Sequence, residues 1–300
     1  MKSERPEIID MQANEHPLEY GDEFMSLEAY CLHLMHRRAY EEAAQIARGL
    51  TVLDLGCNNG FGTHHLSSVA ASVVGLDVSE AAIADARRRF ADCDFRVFAG
   101  VNLPFPEAAF DVVVSLQVIE HIADTAVYLG EIKRVLKPSG TAVFTTPNAA
   151  IRLDPGMRPW NRFHVREYRA EELRQSLAQV FDSVTVRGLF ANEVLYQVEY
   201  RRCQASLAAA RRALGVSTAA PLPMASETAD WKRPFIGFLK TVLPTTAIAV
   251  LRNLQHHWLG GAGDEPLGPE DRARYSTASF FYRDAELDRA LDLIAICRRH

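Results

Sequence analysis

A glycine-rich turn between an apolar strand and a helix constrains the fold of this chain more than any other sequence feature. Residues 51–66 read TVLDLGCNNGFGTHHL, and the first five of them predict a buried strand. Glycine lets the backbone turn tightly and approach a ligand closely, and the helix that follows presents free backbone N–H groups. The glycines of the turn are Gly56, Gly60 and Gly62. This arrangement indicates a site for a nucleotide-like ligand at the end of the first strand.

A second strand ends in an acidic side chain at the sequence separation expected for a ribose contact. Residues 73–76 are apolar or glycine, and Asp77 follows them. In nucleotide-binding α/β proteins, an acidic residue at this position holds the ribose hydroxyls. The glycine spacing differs from G-x-G-x-x-G, and no Gly-Lys-Ser/Thr follows it. A pyrophosphate group is therefore not the expected ligand.

Strand and helix patterns alternate from residue 51 to residue 190, which predicts a parallel sheet with helices on both faces. Ser79 and Asp124 have the side chains of helix N-caps, and residues 137–140, KPSG, predict a helix end. We predict an α/β fold, a Rossmann-like, doubly wound, mostly parallel seven-stranded sheet with an N-terminal helical cap and a helical insertion before the last strand. The predicted strands span residues 51–55, 72–77, 94–98, 110–115, 141–146, 180–190 and 291–297.

The same patterns divide the chain into four segments. An insertion of about a hundred residues between the last two strands is too long for a structureless loop, so it must carry its own structure. A lid over the core is one interpretation of it. The other is a peripheral membrane contact, because residues 231–260 contain no acidic residue and place cationic residues beside aromatic ones. The predicted segments are a helical cap at 1–48, a ligand-binding core at 49–190, a mostly helical lid insertion at 191–280, and the last strand of the core sheet at 281–300.

Several further motifs occur in order after the glycine turn. With the turn itself, DLGCNNGFG at 54–62, they resemble the landmarks of the class I S-adenosylmethionine-dependent methyltransferases, in the branch that includes ubiquinone, menaquinone and sugar methyltransferases. The resemblance covers roughly residues 50 to 190. The further motifs are LPFP at 103–106, FDVVVS at 110–115, VIEH at 118–121, EIKRVLKPSG at 131–140 and TPN at 146–148.

The resemblance implies S-adenosylmethionine as the cofactor. A carboxylate at Asp54 suits the cationic sulfonium and ammonium groups of that molecule. Asn58 stands where the family usually has glycine, and asparagine tolerates a left-handed backbone. Related enzymes commonly place an aspartate against the adenine after the third strand, but residues 98–102 contain no acid, so backbone groups or Asn102 would substitute. The predicted cofactor-binding residues are Asp54, Gly56, Cys57, Asn58, Gly60, Gly62, Asp77, Val78, Val101, Asn102 and Gln117.

Candidate acceptor-side residues lie at the carboxyl ends of the fourth and fifth strands, where ligands bind in such sheets. His164 is the first candidate for a general base and His121 the second, because loops at this edge carry substrate chemistry. Glu120 and Asn148 are the candidate substrate-binding residues. Glu120 could instead satisfy backbone groups at a helix start. No spacing of Asp, Glu, His or Cys requires a metal, so we predict none.

Composition limits the class of protein. The 300 residues are 48% hydrophobic, which suffices for one substantial core, and the net charge of −5 argues against a polyanionic partner. The five cysteines have no C-x-x-C spacing, and the N-terminus shows no apolar signal core. These features favour a cytoplasmic location without structural zinc.

The leading hypothesis is an S-adenosylmethionine-dependent methyltransferase that acts on a hydroxyl oxygen of a small molecule or glycan. The choice of oxygen rests on similarity to quinone and sugar enzymes. Three alternatives stay open: an enzyme for a quinone precursor or another lipid-associated acceptor that contacts a membrane through residues 231–260, a nucleic-acid methyltransferase, and a non-catalytic cofactor-binding module. The sequence predicts no oligomeric state.

Overall fold

The structure, a computed structural model, describes residue 24 and residues 26–98, 102–214 and 267–299. Its described strands form one mixed sheet. They are β1 (Thr51–Leu55), β2 (Ser72–Asp77), β3 (Asp94–Val97), β4 (Phe110–Leu116), β5 (Leu136–Pro147), β6 (Ser183–Ala191), β7 (Phe280–Arg283) and β8 (Asp292–Arg298). The sheet order is β3-β2-β1-β4-β5-β8-β6-β7. This confirms the predicted Rossmann-like, mostly parallel fold.

The described residues contribute eight strands to the sheet, one more than the predicted seven. Strands β3, β2, β1, β4 and β5 pair in parallel, and β8 runs antiparallel between β5 and β6. The additional strand is β7, which pairs antiparallel with the outer edge of β6. It has only four residues, which alternate between buried and exposed. A pattern that short is too weak to separate from a loop in sequence.

Helices cover both faces of the sheet. The described α-helices are α1 (Leu27–Ala47), α2 (Phe61–Ser67), α3 (Glu80–Arg89), α4 (Thr125–Val135), α5 (Ala149–Arg152), α6 (Ala170–Ala178), α7 (Glu193–Ala213) and α8 (Pro269–Arg274). Ser79 caps α3 and Asp124 caps α4, as predicted, because each side chain accepts a hydrogen bond from the backbone three residues later. Helix α4 ends at Val135, as predicted, but residues 137–140 belong to β5 instead of forming a separate turn.

Alternating side chains on the strands supply two apolar layers. Val112 packs with Leu34 of α1 and Leu66 of α2 on one face, whereas its neighbour Val113 packs with Ile132 of α4 on the other. This period of two is the strand geometry expected of a sheet covered on both faces. The layers fix the carboxyl ends of β1, β2, β4 and β5 at one edge of the sheet, where the candidate site lies.

The described part of the predicted insertion belongs to the core. Helix α7 buries Leu195 and Cys203 in the same apolar layer as α1. The segment for which a membrane contact was considered, residues 231–260, lies outside the described residues, as do residues 215–230 and 261–266. The four-segment division therefore stays a prediction. Within the described residues, none of the helices is long and apolar enough to cross a membrane.

Candidate active site

A cavity of about 560 Å³ opens at the carboxyl ends of the central strands. It runs from the glycine turn, past the end of β2, to the loop that follows β4. Its position agrees with the rule that ligands of open α/β sheets bind outside the carboxyl ends of the strands. The described residues that line it are His36, Ala39, Tyr40, Leu55, Gly56, Cys57, Asn58, Leu76, Asp77, Val78, Phe98, Leu103, Leu116, Gln117, Val118, His121, Ile122, Asp124, Val127, Tyr128, Glu131 and Thr145.

The glycine turn forms one wall of the cavity. Gly56 has φ +84°, and a Cβ there would lie 2.4 Å from a methyl group of Val118, so only glycine fits. Asn58, the departure from the family pattern, has φ +46° and so adopts the left-handed conformation that its residue type tolerates. Gly60 and Gly62 do not line the cavity. A Cβ on Gly62 would overlap the ring of Tyr40, so this glycine allows α1 and α2 to pack closely.

Asp77 ties the glycine turn to the end of β2. Its Oδ2 accepts a hydrogen bond from the backbone N–H of Asn58 at 2.8 Å, and its Oδ1 accepts one from Ser79 at 2.9 Å. Burial raises the pKa of this carboxyl, and the two backbone donors oppose that change. Val78 beside it is 46% exposed and lines the cavity. Two backbone hydrogen bonds therefore fix the Asp77 carboxylate where ribose hydroxyls are expected.

Asp54 lies beneath the cavity wall. It is fully buried and accepts hydrogen bonds from Thr63 Oγ1 at 2.7 Å and from Tyr40 Oη at 3.3 Å. Burial raises the pKa of this carboxyl to about 7. Asp54 is not among the lining residues, whereas Tyr40 is. A contact between Asp54 and a bound molecule would thus pass through Tyr40, Thr63 or a water molecule.

The end of the cavity predicted to hold the adenine contains an acidic residue that the sequence analysis missed. Glu131 of α4 lines the cavity, and its Oε2 accepts a hydrogen bond from the backbone N–H of Leu103 at 2.7 Å. The search had covered only the loop after β3, whereas this carboxylate comes from a helix 28 residues later. Asn102 is exposed and does not line the cavity, and Val101 lies outside the described residues.

Gln117 lies at the end of β4 with φ +57°, an uncommon conformation for a residue other than glycine. Its Nε2 donates to Thr145 Oγ1 at 3.0 Å and to Asp292 Oδ2 at 2.9 Å. Gln117 lines the cavity between the turn and the acceptor-side loop. Asp292, at the start of the last strand, carried no sequence signal because it lies 175 residues from the glutamine that it holds.

Asn148 does not line the cavity, and the structure gives its side chain other partners than an acceptor. The side chain is buried, and its Nδ2 donates to the carbonyl oxygens of Leu287 and Ala290 at 2.8 Å each. Its Oδ1 accepts from the backbone N–H of Ala150 and caps α5. The amide is therefore used to fasten the end of β5 to the segment before β8, and it has no group left for an acceptor.

Glu120, His121 and His164 converge beside the cavity. One ring nitrogen or carboxylate oxygen from each lies within 4.8 Å of the others, and the two imidazole rings meet edge to face at 4.8 Å between centroids. His121 lines the cavity, whereas Glu120 and His164 are buried behind it. The loop of His164 is held there because the backbone N–H of Val165 donates to the carbonyl oxygen of Glu120 at 2.8 Å.

Hydrogen bonds fix the orientation of both imidazoles. His121 Nδ1 lies 3.0 Å from the carbonyl oxygen of Phe163, and His164 Nδ1 lies 2.7 Å from Glu167 Oε1. A carbonyl oxygen accepts only, so His121 carries its proton on Nδ1 and has its lone pair on Nε2. Burial lowers the pKa of His121 to about 4. This ring is therefore neutral at physiological pH.

Glu167 is a site residue that the sequence analysis missed, although it lies within the quoted family-like loop. Besides holding His164, it accepts two hydrogen bonds from Arg152, at 2.8 and 3.0 Å. The Arg152 and His164 contacts keep the pKa of the Glu167 carboxyl below its usual range despite the opposing effect of burial. The Arg152 guanidinium also lies over the Trp160 ring at 4.3 Å. The signal available in sequence was the i, i+3 spacing of His164 and Glu167.

The N-terminal helix contributes to the site. His36 and Tyr40, one turn apart on α1, line the cavity. Burial lowers the pKa of His36 to about 4. The sequence analysis predicted a helical cap here without naming these residues, because an amphipathic pattern does not show which helix turn meets the sheet edge.

Comparison with known proteins shows which known domain part of this chain resembles. Residues 53–144 match the family model described as "Methyltransferase domain". A relative from Mycolicibacterium smegmatis, described as a "Probable S-adenosylmethionine-dependent methyltransferase", is 39% identical over 168 residues. Residues 53–144 are therefore similar to a methyltransferase domain. The match to the relative covers 55% of this chain and 65% of that relative, which is less than two thirds of the relative's length.

Two other proteins are also similar to this chain. The "Ubiquinone biosynthesis O-methyltransferase" of Rhizobium etli is 29% identical over 177 residues, which are 54% of this chain and 71% of that protein. Among solved structures, the [4+2]-cyclase SpnF superposes with a TM-score of 0.53 over 97% of this chain and 96% of that one, at 17% identity. At that identity the superposition shows that the two proteins share a fold, and it carries no information about the reaction.

Proposed function

We propose that this methyltransferase transfers the methyl group of S-adenosylmethionine to a hydroxyl oxygen of a small molecule or glycan. In this reaction the S–CH₃ bond breaks as the C–O bond forms, S-adenosylhomocysteine leaves, and the hydroxyl proton passes to a base. The protein must align the acceptor with the sulfonium, exclude water and receive the proton. The cavity at the sheet edge has groups suited to each task.

The cofactor would lie along the wall made by the glycine turn. Asp77 would accept hydrogen bonds from the ribose hydroxyls, and Gly56 would let the backbone approach the ligand. The adenine would lie near Phe98 and Leu103, where apolar side chains line the cavity. The methionine part would then extend towards Gln117 and the acceptor-side loop. Six of the eleven predicted cofactor residues line the cavity, namely Gly56, Cys57, Asn58, Asp77, Val78 and Gln117. Asp54, Gly60, Gly62 and Asn102 do not, and Val101 lies outside the described residues.

The observation that carries the acceptor proposal is the orientation of His121. It lines the cavity, and its Nδ1 is occupied by the Phe163 carbonyl at 3.0 Å, so the Nε2 lone pair is available to a hydroxyl group. Its lowered pKa keeps the ring neutral and therefore able to accept a hydrogen bond. His164, the first sequence candidate for the base, supports the ring of His121 from behind. The roles of the two histidines are thus exchanged relative to the sequence prediction.

Oxygen is the acceptor atom favoured by the relatives, since the Rhizobium etli protein is named as an O-methyltransferase. The lining of the cavity is mostly apolar, which suits an aromatic or hydrophobic acceptor such as a quinone precursor. A quinone precursor or another lipid-associated acceptor is therefore the second candidate. A nucleic acid is disfavoured by the net charge of −5.

Calorimetry followed by product analysis tests this function. Binding of S-adenosylmethionine and S-adenosylhomocysteine would be titrated first, because a non-catalytic module and an enzyme both bind them. The protein would then be incubated with S-adenosylmethionine and a panel of phenols, glycosides and nucleotide sugars, and products would be detected by a mass increase of one methyl group. His121→Ala should lose product formation but keep cofactor binding. The matched control is His64→Ala, on the helix after the glycine turn and away from the acceptor side.

A further inference from the structure

The cluster of Glu120, His121 and His164 has the composition of a metal site. One possible ligand atom from each residue lies within 4.8 Å of the others. Ligand atoms around one ion, bound at about 2.0 to 2.2 Å, lie roughly 3 to 4 Å apart. Side-chain rotations that move these atoms by about an ångström would therefore bring all three within reach of one ion. The backbone already holds the two loops together through the Val165 N–H and the Glu120 carbonyl at 2.8 Å.

Each of the three side chains also has the supporting hydrogen bond that a metal ligand needs. His121 Nδ1 is bonded to the Phe163 carbonyl, and His164 Nδ1 to the Glu167 carboxylate, so Nε2 of both rings is left with a lone pair. Glu120 Oε2 accepts from Thr146 Oγ1 at 3.0 Å. In metalloproteins, a histidine ligand almost always donates its other N–H to a carbonyl or carboxylate in this way.

The distribution of charge around the cluster also favours a metal ion. Glu167 is compensated by the buried guanidinium of Arg152, with which it shares two hydrogen bonds. The carboxylate of Glu120 is as deeply buried, at 1% exposure, and it faces two imidazoles instead of a permanent cation. A buried carboxylate is stable when it is paired or coordinates a metal. A divalent ion would supply the missing positive charge.

We propose that Glu120, His121 and His164 bind one divalent transition-metal ion at the wall of the cavity. Two imidazoles and one carboxylate are the ligand set of facial metal sites that keep open positions, and imidazole favours Zn²⁺, Fe²⁺ and Ni²⁺ over Mg²⁺, Ca²⁺ and Mn²⁺. Because His121 lines the cavity, the open positions would face the acceptor. The sequence prediction of no metal considered spacing alone, and His164 lies 43 residues beyond His121.

The site deepens the proposed function: with an ion bound, His121 Nε2 would ligate it, and the acceptor hydroxyl would face the ion instead of the free lone pair of His121. Only this role rests on that function. Metal binding itself does not depend on it. If zinc binds and no acceptor is methylated, the methyl-transfer proposal fails and the site stands. If methyl transfer proceeds in metal-free protein at an unchanged rate, the ion has no role in the reaction.

The test is a zinc titration of tag-free, metal-stripped protein against a chromophoric chelator, with the bound metal counted by mass spectrometry. The wild type should bind one Zn²⁺ per chain at this site. His164→Ala and Glu120→Gln should each weaken zinc binding by a hundredfold or more. Glu167→Gln keeps all three proposed ligands but removes the carboxylate that holds His164 and Arg152, and it should weaken zinc binding about 10- to 100-fold. The control is the double variant His64→Ala/His65→Ala, which removes two neighbouring histidines of α2 and should leave zinc affinity unchanged.

A gain-of-signal variant keeps the test independent of folding defects. His164→Cys replaces an imidazole ligand by a thiolate, so Co²⁺ bound at the site should acquire a sulfur-to-cobalt charge-transfer band that the wild type lacks. S-adenosylhomocysteine binding would verify that each variant is folded. Zinc binding that is absent from the wild type, or that is unchanged in both His164→Ala and Glu120→Gln, would overturn the proposal. Absence of the charge-transfer band in folded, cobalt-loaded His164→Cys would overturn it as well.

Discussion

His164 and Glu167 form a buried pair in which Nδ1 of the imidazole lies 2.7 Å from a carboxylate oxygen. The pair is anchored by Arg152 on one side and meets the His121 ring on the other. A continuous set of contacts therefore runs from a buried guanidinium to the wall of the cavity. It explains how a histidine on a loop can be held in one orientation, which a side chain in a reaction site requires.

The first prediction concerns Asp77. Asp77→Asn should weaken S-adenosylmethionine binding by about 1.5 to 3 kcal/mol, because hydrogen bonds from hydroxyls to a carboxylate are stronger than those to an amide. The measurement is calorimetric titration with the cofactor. Asp94→Asn, at an exposed aspartate of β3, is the control and should bind like the wild type. Equal affinities for the two folded variants would remove Asp77 from the cofactor site.

The second prediction separates the two histidine roles. His121→Ala should lower kcat by about a hundredfold or more, as expected for loss of a positioned base or ligand, with little change in cofactor Kd. Glu167→Gln should lower kcat by about tenfold, because the amide still fills the space but holds His164 less firmly. The measurement is steady-state kinetics with the best acceptor from the panel. A Glu167→Gln variant with the kcat of the wild type would show that this pair only supports the fold.

The third prediction concerns the backbone at Asn58. Its φ of +46° favours glycine, so Asn58→Gly should leave the free energy of unfolding unchanged or raise it slightly. Asn58→Ala should lower the free energy of unfolding by about 1 to 2 kcal/mol, because alanine lacks the short polar side chain that lets asparagine tolerate this left-handed region. Thermal and chemical denaturation of the three proteins would measure the difference. An alanine variant as stable as the wild type would show that the turn adopts another conformation.

The fourth prediction is a pH dependence of stability from Asp111. Burial raises the pKa of this carboxyl, but hydrogen bonds from Lys137 and from the side chain and backbone of Thr51 outweigh burial and lower the pKa to about 2. The folded pKa is therefore below the unfolded value. The stabilisation, on the order of 2 kcal/mol, should be complete above about pH 5 and lost as the pH falls towards 2.

Asp111→Asn tests this sign directly. The difference in Tm between the wild type and the variant should be largest near neutral pH and should shrink as the pH falls from about 5 to 2. Asp92→Asn, at an exposed aspartate before β3, serves as the control. A difference in Tm that is constant across this range would show that the Asp111 carboxylate is not what joins β1, β4 and β5.

The sequence predicted the elements whose local pattern is strong and missed what depends on distant contacts. The apolar strands β1, β2 and β4 and the N-caps Ser79 and Asp124 were found from their own residues, because strand period and capping chemistry are local. The short edge strand β7 depends on pairing with another strand, and so does the inclusion of residues 137–140 in β5. Local patterns contain no information about such pairing.

The residues of the candidate site also divide into those that local motifs predicted and those that depend on distant contacts. Gly56, Asn58, Asp77, Gln117 and His121 were named from motifs, and all of them line the cavity. Asn148 was named from a motif too, but its amide binds carbonyls some 140 residues later, which no local pattern reveals. Glu131, Glu167 and His36 were missed because helix packing and loop folding bring them to the sheet edge.

The measurement that tests the central claim most directly is a crystal structure of the protein with S-adenosylhomocysteine bound. The account predicts that the ribose hydroxyls lie within hydrogen-bond distance, about 2.5 to 3.2 Å, of the Asp77 carboxylate. It also predicts that the sulfur faces the side of the cavity formed by Gln117 and His121. A ligand whose sulfur points away from His121, or whose ribose does not contact Asp77, would contradict the proposed site.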